Sequence, residues 1–262
     1  MREALAEAAL GEGGTRPNPP VGCVVVCRDE VLSRAHHEYA GGAHAEAAAL
    51  STLVGRDLSD AVLYVTLEPC CTQGRVPPCT EAIIRSGVKR VVVATTDVNP
   101  KHAGRGLNRL WESGIDVVSG VCEREAQEML APFFKWITTK RPYVSLKMSQ
   151  SLDGGIADHA GQSKWITSVE ARAYVRELRR RADVVLVGCG TVLADNPSLL
   201  RSSPSADYRG LPGMRAVLDA TGRLPLDAQI FTDGHAEQTI YVTTDQAPEA
   251  HRAALGATGA EV

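Results

Sequence analysis

The sequence has few aromatic residues, no long hydrophobic run and no excess of one charge. Aromatic residues make up 5% of the chain, hydrophobic residues 44% and charged residues 23%. The last two values are ordinary for globular proteins and exclude wholesale disorder, collagen and coiled coils. No apolar run approaches the roughly 18 residues of a membrane helix, and the segment MREALAEAALGEGG lacks the apolar core of an export signal. Lys and Arg number 28 against 31 Asp and Glu, so we expect neither a membrane nor a nucleic acid as partner.

The cysteines indicate the compartment. There are seven of them, scattered along the chain. An odd number without an export signal is not typical of a secreted disulfide framework. We therefore expect free thiols and a cytoplasmic location.

The 262 residues correspond to about two domains at roughly 150 residues each. In both halves strands alternate with helices, which favours layered α/β folds, and in residues 1–140 an α/β/α sandwich. The predicted strands are 21–27, 31–34, 61–67, 89–94, 116–118, 143–148, 184–187, 216–219 and 239–243. The predicted helices are 2–10, 44–53, 79–86, 106–113, 122–138, 168–181 and one from 247. The basic segment TTKRP at 138–142 is the expected junction, and the second domain, 141–262, is expected to be incomplete because it stops where a further strand would begin.

Three metal-binding side chains occur at predicted element boundaries. His44 begins a helix, Cys70 follows a strand, and Cys79 begins another helix. One imidazole and two thiolates leave the fourth position of a tetrahedral zinc ion to water, which is typical of catalytic sites. Zinc lowers the pKa of such a water to about 7. Glu46, two residues after His44, could move protons beside the metal without binding it.

Zinc nucleobase deaminases use these residue types, but their two cysteines are separated by two residues, whereas eight separate Cys70 from Cys79 here. Each residue alone has an ordinary alternative: a helix-terminal or core histidine, and cysteines as small hydrophobic residues. Their order and boundary positions favour catalytic zinc. Cys71 could compete with Cys70 as a ligand.

Motifs in both halves of the chain resemble one family, the bifunctional riboflavin-biosynthesis deaminase–reductases known as RibD. Those of the first half are PNP at 17–19, VGCV at 21–24, GAHAE at 42–46, TLEPC at 66–70, PPC at 77–79 and GRG at 104–106. Those of the second half are KMS at 147–149, SLDG at 151–154, SKWIT at 163–167 and TVLADNP at 191–197.

The resemblance implies a cytidine-deaminase-like domain followed by a dihydrofolate-reductase-like α/β domain. The first would hydrolytically deaminate 2,5-diamino-6-(5-phosphoribosylamino)pyrimidin-4(3H)-one. The second would use NADPH to reduce the ribosyl side chain of the product to ribityl. Family members assemble through the reductase-like half, so a homodimer or homotetramer is expected.

The resemblance also implies binding residues. Asn18 would lie in the pyrimidine pocket, where an amide can donate and accept. A guanidinium fork matches phosphate geometry, so Arg75 and Arg105 would bind phosphate, with solvated loop arginines as the alternative. The other implied substrate residues are Ser163, Arg179 and Leu199. The implied dinucleotide residues are Lys147, Ser149, Trp165, Thr191 and Asp195. The sequence alone favours a core position for Trp165, and Asp195 could equally form a turn or cap before Asn196-Pro197.

The chain also departs from the family pattern. Cys71-Thr72 stands where Ser-His is usual, so a substrate-contacting histidine is absent; Ala43 replaces a common proline and Ala131 a common asparagine. The sequence ends before the family's Glu-Gly-Gly stretch, which makes either a fragment or a degenerate reductase half the expectation. Three alternatives therefore stay open: a monofunctional deaminase acting on a related pyrimidine or purine, a non-catalytic zinc protein whose second half serves assembly, and a nucleic-acid deaminase, which the acidic net charge and scarce aromatics disfavour.

Overall fold

Valine-rich segments form the strands of two separate sheets, one in each half of the chain. The computed structural model describes residues 1–201 and 212–262. These divide by their contacts into Met1–Lys147 and Met148–Val262, here named unit 1 and unit 2. Among the described residues, no helix combines the length and the apolar character needed to cross a bilayer.

Unit 1 is built on a mixed five-stranded sheet of order β2-β1-β3-β4-β5. Strand β1 runs antiparallel to β2 and β3, whereas β3, β4 and β5 are parallel. The strands are β1 (Gly22–Cys27), β2 (Glu30–His36), β3 (Ala61–Leu67), β4 (Arg90–Thr95) and β5 (Asp116–Ser119). The helices are α1 (Arg2–Gly11), α2 (Ala45–Ser51), α3 (Cys79–Ser86), α4 (Arg105–Glu112) and α5 (Glu123–Thr139).

Helices cover both faces of this sheet. Successive side chains of a strand point to opposite faces. Val91 and Val93 of β4 accordingly join a core with residues of α2, α3 and α4, while Ala94 packs with Leu5 of α1 and Ala126 of α5. The α/β/α sandwich predicted from the alternating pattern is thereby confirmed.

Unit 2 contains a parallel sheet whose described strands have the order β6-β7-β8. Its elements are α6 (Val169–Arg181), β6 (Val184–Gly188), α7 (Cys189–Asp195), β7 (Met214–Leu218), α8 (Gln229–Thr232), a 3-10 helix (Ala236–Gln238), β8 (Thr239–Val242) and α9 (Glu249–Gly256). Val217, Ile230, Tyr241 and Leu255 form the centre of its core. The mixed α/β character predicted for this half is confirmed.

The strand predicted over 143–148 is wrong, because the segment has no regular secondary structure. Its apolar side chains Tyr143, Val144, Leu146 and Met148 are exposed. A strand requires a neighbour for its backbone N–H and C=O groups, and in the described part of the chain none of the named strands pairs with this segment. The short helices α7 and α8 were not predicted.

A buried arginine joins the elements of unit 2. The Arg215 side chain is 1% exposed and forms two hydrogen bonds with the Asp233 carboxylate, including one of 2.8 Å from Nη2 to Oδ1. It also donates to the carbonyl oxygens of Ser198, Ile230 and His235. A buried guanidinium needs such partners because its desolvation is costly.

We expect Asp233→Ala to lower the free energy of unfolding by about 3 to 5 kcal/mol, because it leaves the Arg215 guanidinium buried without its counter-charge. Urea unfolding of the full chain would measure this. Asp245→Ala is the matched control, since Asp245 is fully exposed beside Arg252 and surface ion pairs contribute about 0 to 1 kcal/mol. Equal losses in the two variants would contradict the prediction.

The same pair predicts a pH dependence. Hydrogen bonds from Arg215 lower the pKa of Asp233 to about 2, below the usual value of about 4. A carboxyl group whose pKa is lower in the folded than in the unfolded state stabilises the folded protein at pH values above its unfolded-state pKa. This stabilisation is lost as the pH falls through the folded-state pKa. The difference in the free energy of unfolding between wild type and Asp233→Ala should therefore be constant above about pH 5. It should become smaller as the pH falls from about 4 to about 2.

Candidate metal centre

His44, Cys70 and Cys79 converge where two helices begin and one strand has ended. His44 is the residue before α2, Cys79 is the first residue of α3, and Cys70 lies in the loop after β3. His44 Nδ1 lies 3.2 Å from Cys79 Sγ and 3.5 Å from Cys70 Sγ. All three donor atoms lie within 4.8 Å of one another, so a single ion could contact all of them.

The donor set fits zinc. Zn–S bonds of about 2.3 Å and Zn–N bonds of about 2.0 Å require donors roughly 3.5 to 4 Å apart in a tetrahedron. Hydrogen bonds from the thiol and backbone N–H of Cys79, and from His44, lower the pKa of Cys70 to about 4. The Cys79 N–H donates to Cys70 Sγ at 3.3 Å, so the beginning of α3 favours the thiolate that a metal needs.

Glu46 lies on the first turn of α2 and is 3% exposed. Burial raises the pKa of its carboxyl to about 7, and the neighbouring Cys70 adds to this effect. The carboxyl also interacts with the Cys79 thiol. An acid with a pKa near neutrality, adjacent to a metal-binding cluster, is suited to proton transfer.

His37 connects Asn18 to this cluster. The Asn18 amide nitrogen lies 3.0 Å from His37 Nε2, and His37 Nδ1 lies 2.8 Å from the Ala43 carbonyl oxygen. Because a carbonyl can only accept, His37 carries its proton on Nδ1 and accepts the Asn18 amide on Nε2. Burial lowers the pKa of His37 and keeps the ring neutral. Its ring meets that of His44 edge-on, with centroids 5.2 Å apart.

Glu68 holds the loop 97–106 against the Cys70 segment. Its buried carboxylate accepts hydrogen bonds from the backbone N–H groups of Asp97 at 3.0 Å, and of Gly104 and Gly106 at 2.8 Å. A Cβ atom at Gly106 would lie 2.1 Å from the Pro69 carbonyl oxygen, so this approach requires glycine.

The two arginines predicted to bind phosphate lie on different segments. Arg105 is the exposed first residue of α4, at the end of the loop that Glu68 holds. Arg75 is exposed in the loop between β3 and α3. Cys71, the predicted competitor of Cys70, lies with its Sγ 3.9 Å from His102 Nδ1, and it is not part of the donor cluster found among the described residues.

In unit 2 the structure brings Ser163 and Asp195 together. Ser163 Oγ donates to Asp195 Oδ1 at 3.1 Å, and Lys164 Nζ donates to the Asp195 carbonyl oxygen at 3.4 Å. Thr191 and Asp195 are four residues apart on α7 and therefore share one face of the helix. Trp165 is 70% exposed, with the Arg172 guanidinium carbon 4.4 Å from its ring centroid, so it does not fill a core.

The other residues predicted for the reductase-like half lie on separate elements. Arg179 is half-buried near the end of α6, and this burial lowers its pKa. Leu199 is buried in the core with a positive φ of 60°, so its side chain packs inward. Lys147 and Ser149 lie in the irregular segment after α5 and fall on either side of the division between the units.

Sequence reasoning assigned no role to His37 or Glu68. His37 precedes the recognised motif GAHAE and Glu68 lies within TLEPC, but a buried polar residue that positions others has no pattern of its own. The second-sphere partners of metal and substrate residues are often such groups.

Two family models match the chain in the same order as the two units. Residues 1–95 match the cytidine and deoxycytidylate deaminase zinc-binding region, and residues 142–255 match the RibD C-terminal domain. The chain is thus a zinc-binding deaminase-type domain joined to a RibD C-terminal domain.

Curated relatives and solved structures agree with this. RibD of Aquifex aeolicus is 46% identical over 96% of this chain and 69% of its own length. RibD of Actinobacillus pleuropneumoniae is 44% identical over 93% and 63%. The structure of Acinetobacter baumannii RibD has a TM-score of 0.84 at 39% identity, covering 100% of this chain and 71% of that one.

A Thermotoga maritima structure, described as a diaminohydroxyphosphoribosylaminopyrimidine deaminase/5-amino-6-(5-phosphoribosylamino)uracil reductase, has a TM-score of 0.83 at 41% identity and covers 96% of this chain and 71% of that one. The chain belongs to the RibD family of riboflavin-biosynthesis proteins. It spans about two thirds of the length of its relatives, between 63% and 69% for the two curated proteins above.

We expect the purified protein to bind about one zinc ion per chain. His44→Ala, Cys70→Ser and Cys79→Ser should each abolish zinc binding, because a site with three protein ligands needs all three. Metal content by mass spectrometry would measure it. Cys71→Ser is the matched control and should keep its zinc. Loss of zinc from Cys71→Ser would instead indicate a fourth protein ligand and a structural site.

We expect Glu68→Ala to loosen the loop 97–106 without removing zinc, because three backbone N–H groups lose their common acceptor. Amide hydrogen exchange of peptides covering this loop should accelerate about tenfold or more. Glu81→Ala, which removes an exposed carboxylate paired with Arg109, is the control and should leave the loop unchanged. Wild-type exchange in Glu68→Ala would show that the carboxylate does not hold the loop.

Proposed function

We propose that unit 1 is a zinc-dependent hydrolytic deaminase of 2,5-diamino-6-(5-phosphoribosylamino)pyrimidin-4(3H)-one. The observation that carries the proposal is the cluster of His44, Cys70 and Cys79 beside the buried Glu46. The name of the Thermotoga maritima structure supports the substrate.

The residues have separate roles in this reaction. His44, Cys70 and Cys79 would hold zinc, which supplies a hydroxide nucleophile at neutral pH when it is bound. Glu46 takes a proton from the attacking water and delivers a proton to the departing amine. The C–N bond to the amino group breaks, a C=O bond forms from water, and ammonia leaves.

Recognition falls to groups around the cluster. Asn18, fixed by the neutral His37 ring, offers an amide for the pyrimidine edge. Arg75 and Arg105 bind the phosphate of the phosphoribosyl group. The exposed position of both guanidinium groups agrees with a phosphate that is held at the rim.

We further propose that residues 1–140 form the deaminase domain and residues 141–262 belong to an NADPH-dependent reductase domain that converts the ribosyl group to ribityl. The match to the RibD C-terminal domain over 142–255 supports this assignment. Ser163 and Arg179 would face substrate, and Leu199, whose side chain lies in the core, would contact it through its backbone. Lys147, Ser149, Trp165, Thr191 and Asp195 would face the dinucleotide.

For the protein as a whole we propose a cytoplasmic homo-oligomer, a dimer or tetramer assembled through the reductase-like domain. All seven cysteines are free thiols in the structure, which agrees with a reducing compartment. The alternative is a monofunctional deaminase whose second domain serves assembly. Ammonia release without NADPH oxidation on the same phosphoribosyl substrate would favour that alternative.

We expect Glu46→Ala to retain zinc and to lower the rate of ammonia release by at least about 10²-fold, because general acid–base catalysis contributes about 10² to 10⁴. A coupled ammonia assay together with metal analysis would measure both. Glu38→Ala removes an exposed carboxylate and is the control. Wild-type ammonia release from Glu46→Ala would contradict the role of this carboxylate.

A further inference from the structure

A histidine outside the metal cluster lies at the edge of the same site. His102 is half-buried in the loop between β4 and α4. Its Nδ1 lies 3.9 Å from Sγ of Cys71, the residue that follows the predicted ligand Cys70. This histidine belongs to none of the motifs that identified the site.

The position of His102 is fixed by its backbone. Its N–H donates to the Asn99 carbonyl oxygen at 2.8 Å, and its own carbonyl oxygen accepts the N–H of Arg105. Glu68 binds the loop on both sides of the histidine, at Asp97 and Gly104. The ring is therefore held next to the Cys70–Cys71 segment by bonds that do not involve the ring.

Arg105 reaches the same neighbourhood. It begins α4 three residues after His102, its backbone N–H donates to the His102 carbonyl oxygen, and its side chain is exposed. An imidazole N–H and a guanidinium group three residues apart on one loop can both donate to an anionic oxygen. The Asp97 carboxylate interacts electrostatically with the His102 ring, and the Glu68 carboxylate accepts hydrogen bonds from backbone N–H groups of the same loop.

We propose that His102 contacts the phosphoribosyl group of the substrate together with Arg105, supplying the imidazole that Thr72 does not provide. This proposal rests on the deaminase function proposed above. Thr72 is exposed and directly follows Cys71, and the His102 ring lies against the Cys71 thiol, so an imidazole at position 102 would occupy the same edge of the site from the facing segment. His102 is then a specificity residue for the phosphorylated substrate.

The test compares His102→Ala with Lys101→Ala, which alters the exposed neighbour on the same loop. For ammonia release from the phosphoribosyl substrate, His102→Ala should raise KM about tenfold with kcat within about twofold, as expected for a hydrogen bond to a charged group in the bound state. Lys101→Ala should change neither. In the double variant Thr72→His/His102→Ala, the KM should return most of the way to the wild-type value.

A binding measurement separates this proposal from the deaminase function. Calorimetry with ribose 5-phosphate as the probe should show about tenfold weaker binding to His102→Ala than to wild type, whether or not the wild type releases ammonia. Unchanged KM and unchanged binding in His102→Ala would overturn the proposal. Loss of zinc or faster amide exchange in 97–106 would also overturn it, because His102 would then be structural. Absence of ammonia release from wild type, with the binding difference intact, would overturn only the proposed reaction.

Discussion

The arrangement of the loops around the candidate site depends on the hydrogen bonds that the Glu68 carboxylate accepts. It lies just after β3, two residues before Cys70, and it satisfies three backbone N–H groups of the loop that follows β4. A buried carboxylate is costly unless it is fully hydrogen-bonded, and here the loop provides the donors. One side chain therefore fixes the segment that carries Cys70 and the loop 97–106 relative to each other, which two neighbouring parallel strands alone would not do.

The sequence predicted the sheet and the metal cluster for the same physical reason. Both follow from local sequence patterns. Runs such as VKRVVVA indicate buried strands, and turn and helix signals locate the element boundaries at which His44, Cys70 and Cys79 lie. Because parallel strands end at one edge of a sheet, residues at those ends meet in space. The contact between Asn18 and His37 and the hydrogen bonds between Glu68 and the loop 97–106 join segments that are distant in the sequence. No local sequence pattern predicts them.

The wrong strand at 143–148 illustrates the limit of pattern. Tyr143 is aromatic and Val144 is β-branched, as is typical of strands, but a strand exists only where a neighbour pairs with its backbone N–H and C=O groups. The buried Arg215 is the opposite case. Sequence statistics place arginine at the surface, yet Asp233 and three carbonyl groups make the interior favourable for it. Both outcomes follow from partners supplied by other parts of the chain.

The donor cluster and the loops around it tolerate substitutions differently. The donor atoms of His44 and Cys79 are placed by the beginnings of α2 and α3, and Cys71 lies outside the donor cluster found among the described residues, so replacing one member would leave the proposed zinc site a ligand short. The rim is built from loops, where an imidazole can reach the same space from more than one segment. Thr72 on one loop and His102 on the facing loop fit this difference: the chemistry of the rim is retained if any nearby residue offers the donor, whereas the chemistry of the cluster requires His44, Cys70 and Cys79 themselves. Departures from a family pattern at the rim are therefore weaker evidence for a new reaction than departures in the cluster would be.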